Sequence, residues 1–153
     1  MQKNFEGSLK YTFKCSNCQK TFEKIDSFKE LMIPIPTKYH SHTSAIPLQE
    51  LLKNYFSKEY IEDYKCECCQ KKSKFEKTTT ILKYPEVLIL VFNIFNVVGQ
   101  DFIQKLQKNI EVPLYDLNLK GFEGESFEKK KSYNLDSFIS HYGESVDHGH
   151  YIR

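Results

Sequence analysis

Two cysteine pairs of identical spacing, Cys15 with Cys18 and Cys66 with Cys69, constrain this chain more than any other feature of its sequence. A closed tetrahedral metal site takes four soft ligands, and two Cys-x-x-Cys pairs supply four thiolates, whereas one pair alone is equally compatible with redox chemistry. The pattern predicts one zinc bound by Cys15, Cys18, Cys66 and Cys69. With all four positions filled by protein, no place is left for an activated water, so the expected zinc is structural. Cys68 is the odd cysteine, either a substitute for Cys69 in the cluster or a free thiol. An odd count with four members at metal spacing argues against a secreted disulfide framework and for a reducing compartment, cytosol or nucleus.

At 153 residues, 40% of them hydrophobic, the chain is expected to form one domain or two small lobes with a real core. No apolar run reaches the roughly 18 residues needed to cross a bilayer, and residues 1–5 lack the apolar stretch of a signal peptide. An intracellular protein without a membrane partner is the expectation. The net charge is only +2, and among 22 basic residues Arg153 is the sole arginine. Arginine is the side chain suited to bidentate contacts with phosphate and guanine, so the composition speaks against nucleic acid as a partner.

Leu9, Tyr11 and Phe13 alternate with polar residues, the period of a half-buried strand running into the first cysteine pair. Residues 21–33 are rich in phenylalanine and β-branched residues and end at Pro34 and Pro36, whose missing amide donors make a central strand unfavourable there. Leu48, Leu51, Leu52, Tyr55 and Phe56 follow Pro47 at helical spacing and predict one amphipathic helix near residues 47–57. The second cysteine pair reads as a hairpin tip entering a strand at residues 78–82. Residues 87–92 are nearly all apolar, which predicts a strand buried on both faces at the centre of a sheet. Residues 121–132 read as a solvated loop, residues 133–139 and 150–152 as strands, and residues 141–149 as a polar loop between them.

Four zinc-bound thiolates carry excess negative charge, and Lys71, Lys72, Lys74 and Lys77 are placed to offset it. Of the five histidines, His40, His42 and His148 read as surface residues, and His141 opens the polar loop. His150 differs in its neighbours. Gly149 allows close backbone approach, and Tyr151 and Ile152 fit a buried strand that would hold the imidazole fixed, as a general base requires.

In order along the chain, these segments resemble the ubiquitin-specific proteases, papain-like cysteine deubiquitinases. Phe5-Glu6-Gly7 leading to Cys15-x-x-Cys18, then Leu48-x-x-Leu51-Leu52 with Tyr55, then Tyr64-x-Cys66-x-x-Cys69 resembles the family's fingers. Leu82-x-x-Pro85-x-Val87-Leu88-Ile89-Leu90, then Val112-Pro113-Leu114, then Tyr133-x-Leu135 on to His141-x-Gly143 and Gly149-His150-Tyr151 resembles its palm. The resemblance implies an α+β fold, mostly antiparallel fingers with a four-cysteine zinc site at about residues 5–83 and part of a papain-like palm sheet at residues 84–153. It implies ubiquitin or ubiquitinated proteins as partners, with the catalytic histidine at His150 and the loop of residues 141–149 bordering the cleft for ubiquitin's C-terminal tail.

Three departures shape that expectation. The family's nucleophilic cysteine belongs to a thumb motif with no counterpart in these residues, and its orienting aspartate or asparagine follows the Gly-His-Tyr motif beyond Arg153. Where the family usually carries a basic residue before a phenylalanine, this chain has Asn93-Ile94-Phe95. The chain alone is therefore expected to be inactive, with a further chain or segment supplying the thumb. The alternatives are a non-catalytic ubiquitin-binding or scaffold subunit and, behind it, a zinc-ribbon protein that binds nucleic acid.

Overall fold

The computed structural model describes residues 2–39, 44–98, 102–124, 132–143 and 148–153. The chain divides into two compact units that interleave along the sequence. The first takes Met1–Leu31, Phe56–Ile89 and Leu119–Lys131, and the second takes Met32–Tyr55, Leu90–Asn118 and Ser132–Arg153.

The first unit is built on a four-stranded antiparallel sheet. Its strands are β1 (Gly7–Cys15), β2 (Thr21–Phe28), β5 (Glu59–Lys65) and β6 (Lys72–Lys83), in the order β2-β1-β6-β5. The predicted alternation shows at the ends of β1, where Leu9 and Cys15 are buried and Lys14 is exposed, while residues 10–13 are all half-buried. Across the sheet β6 buries Phe75, Thr79 and Ile81 on the matching period of two. Cys15 lies opposite Phe75 in the register, so both hairpin turns, β1–β2 and β5–β6, sit at one end of the sheet. Below those turns Phe13 stacks on Phe22 at 4.9 Å between ring centroids, and Tyr64 meets Phe75 edge-on at 5.1 Å. The aromatic layer gives the sheet end a small core of its own, in which Cys15, Cys66 and Phe75 are packed together.

Residues 122–124 run parallel to β6 at its edge, bridged between Ile81 and Glu123. Ile81 donates its amide to the Phe122 carbonyl at 2.8 Å and Phe122 stacks on Phe56 at 4.8 Å. The predicted solvated loop therefore begins with a buried anchor at Phe122, and its residues 125–131 lie outside the described residues.

In the second unit α1 (Leu48–Tyr55) follows β4 (Ile46–Pro47), which pairs in parallel with β10 (Ile110–Glu111). Leu48, Leu51 and Leu52 are fully buried, as their helical spacing predicted. Phe56 falls just past the helix end.

Short two-stranded pairings make up the rest of the second unit. β3 (Leu31–Pro34) pairs with β7 (Leu90–Asn93), and β8 (Phe95–Val98) with β9 (Phe102–Lys105). β11 (Leu117–Asn118) pairs with β12 (Ser132–Tyr133), and β13 (Ser140–Tyr142) with β14 (His150–Ile152). The fold is α+β, mostly antiparallel, with one α-helix among the described residues.

Three expectations are corrected here. Residues 87–92 do not form a central strand buried on both faces: β7 begins only at Leu90 and is half-buried, and Val87 and Ile89 are 44% and 38% exposed. Val87 gives its amide to Asn4 instead of a sheet neighbour, and β3 is the one strand paired with β7 among the described residues. Residues 133–139 are not a strand beyond Tyr133. Past that pair the Asp116 amide donates to the Asn134 side chain and the Leu135 amide to the Leu114 carbonyl, in place of regular ladder bonds. Finally, residues 150–152 do form a strand, but all three are exposed, so His150 is not held by burial.

Candidate metal centre and candidate catalytic histidine

Each hairpin tip at the end of the first sheet closes in the same way. Cys15 donates its amide to the Lys20 carbonyl at 3.0 Å and Cys66 donates to Lys71 at 2.9 Å. Gln19 and Gln70 donate back to the carbonyls of Cys15 and Cys66 at 2.9 and 2.8 Å. Both glutamines have left-handed backbones, φ 60° and 57°, and each side-chain amide closes on a carbonyl three residues back, Ser16 at 2.8 Å and Glu67 at 2.6 Å. The sequence carries a signal for this beyond the cysteine spacing, because Gln-Lys follows each pair.

These two turns bring the sulfurs of Cys15, Cys18, Cys66 and Cys69 within 4.8 Å of one another. The Cys18 and Cys66 sulfurs are 3.7 Å apart. A tetrahedron with zinc–sulfur bonds of about 2.3 Å has an edge of about 3.8 Å, so the donor set and its size both fit zinc. Cys69, not Cys68, is the fourth member, and Cys68 is exposed beside it.

Neutral thiols in this arrangement compete for protons. A hydrogen bond from the Cys18 backbone amide, with the Asn17 amide adding, outweighs burial and pulls the Cys15 thiol down to about 6. At Cys18 the Lys20 amide favours the thiolate, yet burial together with the sulfurs of Cys15, Cys66 and Cys69 pushes the thiol up to about 12. The Asn17 side chain, donating to the Cys69 sulfur at 3.4 Å, and then the Lys71 amide lower Cys69. Metal-bound thiolates are stabilised by such donors. Asn17 and the backbone amides of Cys18, Lys20 and Lys71 are contributors that reading by residue type overlooked.

Two of the four lysines after Cys69 are engaged by carboxylates of the neighbouring strand. Lys74 pairs with Glu62 at 2.9 Å and Lys77 with Glu59 at 2.8 Å, both across the β5–β6 ladder, while Lys71 contributes its backbone N–H. Solvent-exposed pairs of this kind each add at most about 1 kcal/mol.

His150 opens β14, with its Cα opposite that of Tyr142. His148 is exposed just before it, and His40 and His42 lie outside the described residues. His141 is the histidine with a built environment. Its ring lies 5.6 Å from that of Phe95 and 5.1 Å from that of Tyr151, and its Nδ1 is buried without a hydrogen-bond partner among the described residues. Among the described residues no helix is long and apolar enough to cross a membrane.

The profile of the family described as ubiquitin carboxyl-terminal hydrolase matches residues 1–153. The chain belongs to that family. It is 28% identical over 150 residues to ubiquitin carboxyl-terminal hydrolase 21 of Rattus norvegicus, covering 96% of this chain and 26% of the relative. It is 30% identical over 155 residues to probable ubiquitin carboxyl-terminal hydrolase 4 of Schizosaccharomyces pombe, covering 97% of this chain and 25% of the relative. The chain thus spans about a quarter of the length of these relatives. Among solved structures, a yeast SAGA DUBm with an Sgf73 mutant superposes with a TM-score of 0.81 at 31% identity over 97% of this chain and 32% of that one. The SAGA Ubp8/Sgf11/Sus1/Sgf73 DUB module bound to ubiquitin aldehyde gives 0.80 at 30% identity over 97% of this chain and 33% of that one. The sequence resemblance to ubiquitin-specific proteases is thereby established for family and fold.

Proposed function

We propose that these residues are the fingers-plus-palm part of a cysteine-type deubiquitinase, a ubiquitin C-terminal hydrolase acting on ubiquitinated proteins in the cytosol or nucleus. The observation that carries the reading is the convergence of four thiols from two hairpin tips within a chain that the hydrolase family matches throughout. In this reading residues 5–83 are the fingers, with the helix near residues 47–57, and residues 84–153 contribute the palm. Cys15, Cys18, Cys66 and Cys69 hold one structural zinc, whose contribution is to cross-link the two hairpins. The fingers contact ubiquitin, as the ubiquitin-bound structural neighbours support.

His150 is the general base and later the general acid. It takes the proton of a cysteine thiol, the thiolate attacks the carbonyl at the ubiquitin C-terminus, His150 protonates the leaving amine, and water then hydrolyses the acyl-enzyme. That nucleophile is not among these five cysteines: four form the tetrad, and Cys68 lies in the same knuckle. The 153 residues by themselves therefore do not turn over, and a further chain or segment supplies the thiol and the group that orients His150.

The test uses ubiquitin carrying a fluorogenic C-terminal amide. The 153-residue chain alone releases no fluorophore; together with the cysteine-bearing thumb and the downstream strands it does. In that active assembly His150→Ala abolishes cleavage and His148→Ala is far milder. Cleavage by the isolated chain, or an active assembly indifferent to His150→Ala, overturns the assignment. Ubiquitin binding with no activity in any extended assembly favours a non-catalytic ubiquitin-binding subunit.

A further inference from the structure

The hairpin that carries His150 is exposed along β14, yet two residues of the neighbouring β8–β9 hairpin hold it. Lys105, the last residue of β9, reaches the C-terminal end of β13 and donates from Nζ to the His141 carbonyl at 2.8 Å and the Gly143 carbonyl at 2.6 Å. Phe95, opposite Lys105 in the β8–β9 register, meets the His141 ring edge-on from the same hairpin. Tyr151, opposite His141 in the β13–β14 register, packs on that ring too. A side-chain carbon added at Gly149 would collide with Nε2 of His141 and lie 2.8 Å from its Cε1, so the imidazole rests against the backbone immediately before His150. A carbon added at Gly143 would come within 2.5 Å of the His148 carbonyl oxygen, so the backbones on the two sides of this corner are also in close approach.

His141 itself is a poor proton shuttle in this setting, with one nitrogen buried and the other turned to Gly149. Its surroundings suit a spacer. The two carbonyls that Lys105 holds are those of His141 and of the glycine two residues on, so the ammonium ties down the end of β13 and Gly143 just past it. A cation donating to two carbonyls makes charge-assisted hydrogen bonds, stronger than neutral ones.

We infer that Lys105 and His141 are positioning residues for His150, Lys105 clamping the β13 end of the hairpin and the His141 ring setting the path of the Gly149 backbone that leads into the base. The inference rests on His150 being the base. It explains how an imidazole on an exposed strand is aimed without burial: the strand before it is fixed by a ring and a cation from the adjoining hairpin. Catalytic geometry tolerates little displacement, and a misplacement of about 1 Å costs on the order of a hundredfold in rate.

Two measurements test it. In the 153-residue chain, amide hydrogen exchange and NMR shifts are compared for the native sequence, Lys105→Met and Lys105→Arg, with the β1–β6 amides as the folding control. Lys105→Met speeds exchange in β13 and β14 by on the order of tenfold and moves the His150 ring shifts, β1 and β6 stay unchanged, and Lys105→Arg, which keeps a charged donor, restores both. Unchanged β13 and β14 protection in Lys105→Met overturns the inference, with or without an active assembly. In the assembly that cleaves ubiquitin amides, Lys105→Met and His141→Ala lower kcat by on the order of tenfold or more with KM nearly constant, and Lys105→Arg recovers most of the loss. If His150→Ala abolishes cleavage while Lys105→Met leaves kcat intact, the positioning role fails and the base assignment survives. If His150→Ala leaves cleavage intact, the base assignment itself fails.

Discussion

Gln19 and Gln70 occupy the same structural position in two hairpins: each follows the second cysteine of its pair, each has a left-handed backbone, and each caps its own turn with its side-chain amide. The candidate metal centre is thus two copies of one six-residue turn, Cys15 to Lys20 and Cys66 to Lys71, facing each other across the end of a sheet.

A left-handed backbone costs an ordinary L-residue roughly 1–2 kcal/mol, and β-branched residues suffer most. Gln19→Val and Gln70→Val are therefore expected to lower stability by about 1–2 kcal/mol each and to weaken metal retention. Gln→Gly at either site loses the side-chain cap but relieves the backbone, and stays within about 1 kcal/mol of the native protein. Chemical denaturation with metal content measured in parallel checks both. Equal losses for valine and glycine would show that the side-chain hydrogen bond, not the backbone, matters.

Cys68 and Cys69 are neighbours with opposite expected behaviour. Cys69→Ser removes one of four converging thiols and is expected to abolish tight metal binding, a contribution on the order of 10 kcal/mol at such sites, and with it the order of both hairpin tips. Cys68→Ser alters an exposed thiol and leaves metal content and melting temperature unchanged. Elemental analysis of the two variants decides between Cys69 and Cys68 as ligand, and one zinc per chain is the expected native value.

Phe75 is 1% exposed beneath the tetrad and touches the rings of Phe22 and Tyr64. Phe75→Ala should cost about 3–5 kcal/mol in the metal-loaded protein. A loss below about 1 kcal/mol in urea unfolding would show that the metal alone, and not the aromatic layer, holds the hairpin ends together.

Tyr84 gives an alkaline signature. It is 4% exposed, and burial, with the Glu123 carboxylate adding, pushes its phenol up to about 12 from the usual 10.0. The neutral phenol is favoured in the fold, so its contribution is intact below pH 10 and is lost as the pH rises towards 12, where the unfolded chain has already released the proton. Tyr84→Phe is expected to flatten the fall in stability across that window. Identical alkaline unfolding of the two proteins would contradict it.

Much of the first unit was legible because its signals are local and redundant. Alternation at Leu9, Tyr11 and Phe13 marks β1 as a strand, and the cysteine spacing marks the tips. The helix was legible for the same reason, since Leu48, Leu51 and Leu52 share one face. The second unit was less so. An apolar run such as residues 87–92 states that a strand prefers cover on both faces, but not where pairing begins, and here it begins at Leu90. The surroundings of His150 were invisible for another reason. Lys105 and Phe95 lie far from it in sequence, and a lysine that donates to two carbonyls has no motif. His141 looked like the first residue of a loop because polar residues follow it, whereas its ring is packed by two aromatics contributed by separate strands.

The most direct test of the account is a titration of the zinc-loaded 153-residue chain with ubiquitin, followed by NMR of both proteins. Residue-specific shifts in the β2-β1-β6-β5 sheet are expected, with a Kd in the micromolar range or weaker, about −8 kcal/mol or less in magnitude, because the proposed reading assigns part of the grip to a thumb that these residues do not contribute. A folded, zinc-loaded chain whose spectrum is unchanged at millimolar ubiquitin would contradict the assignment of this sheet as ubiquitin-binding fingers.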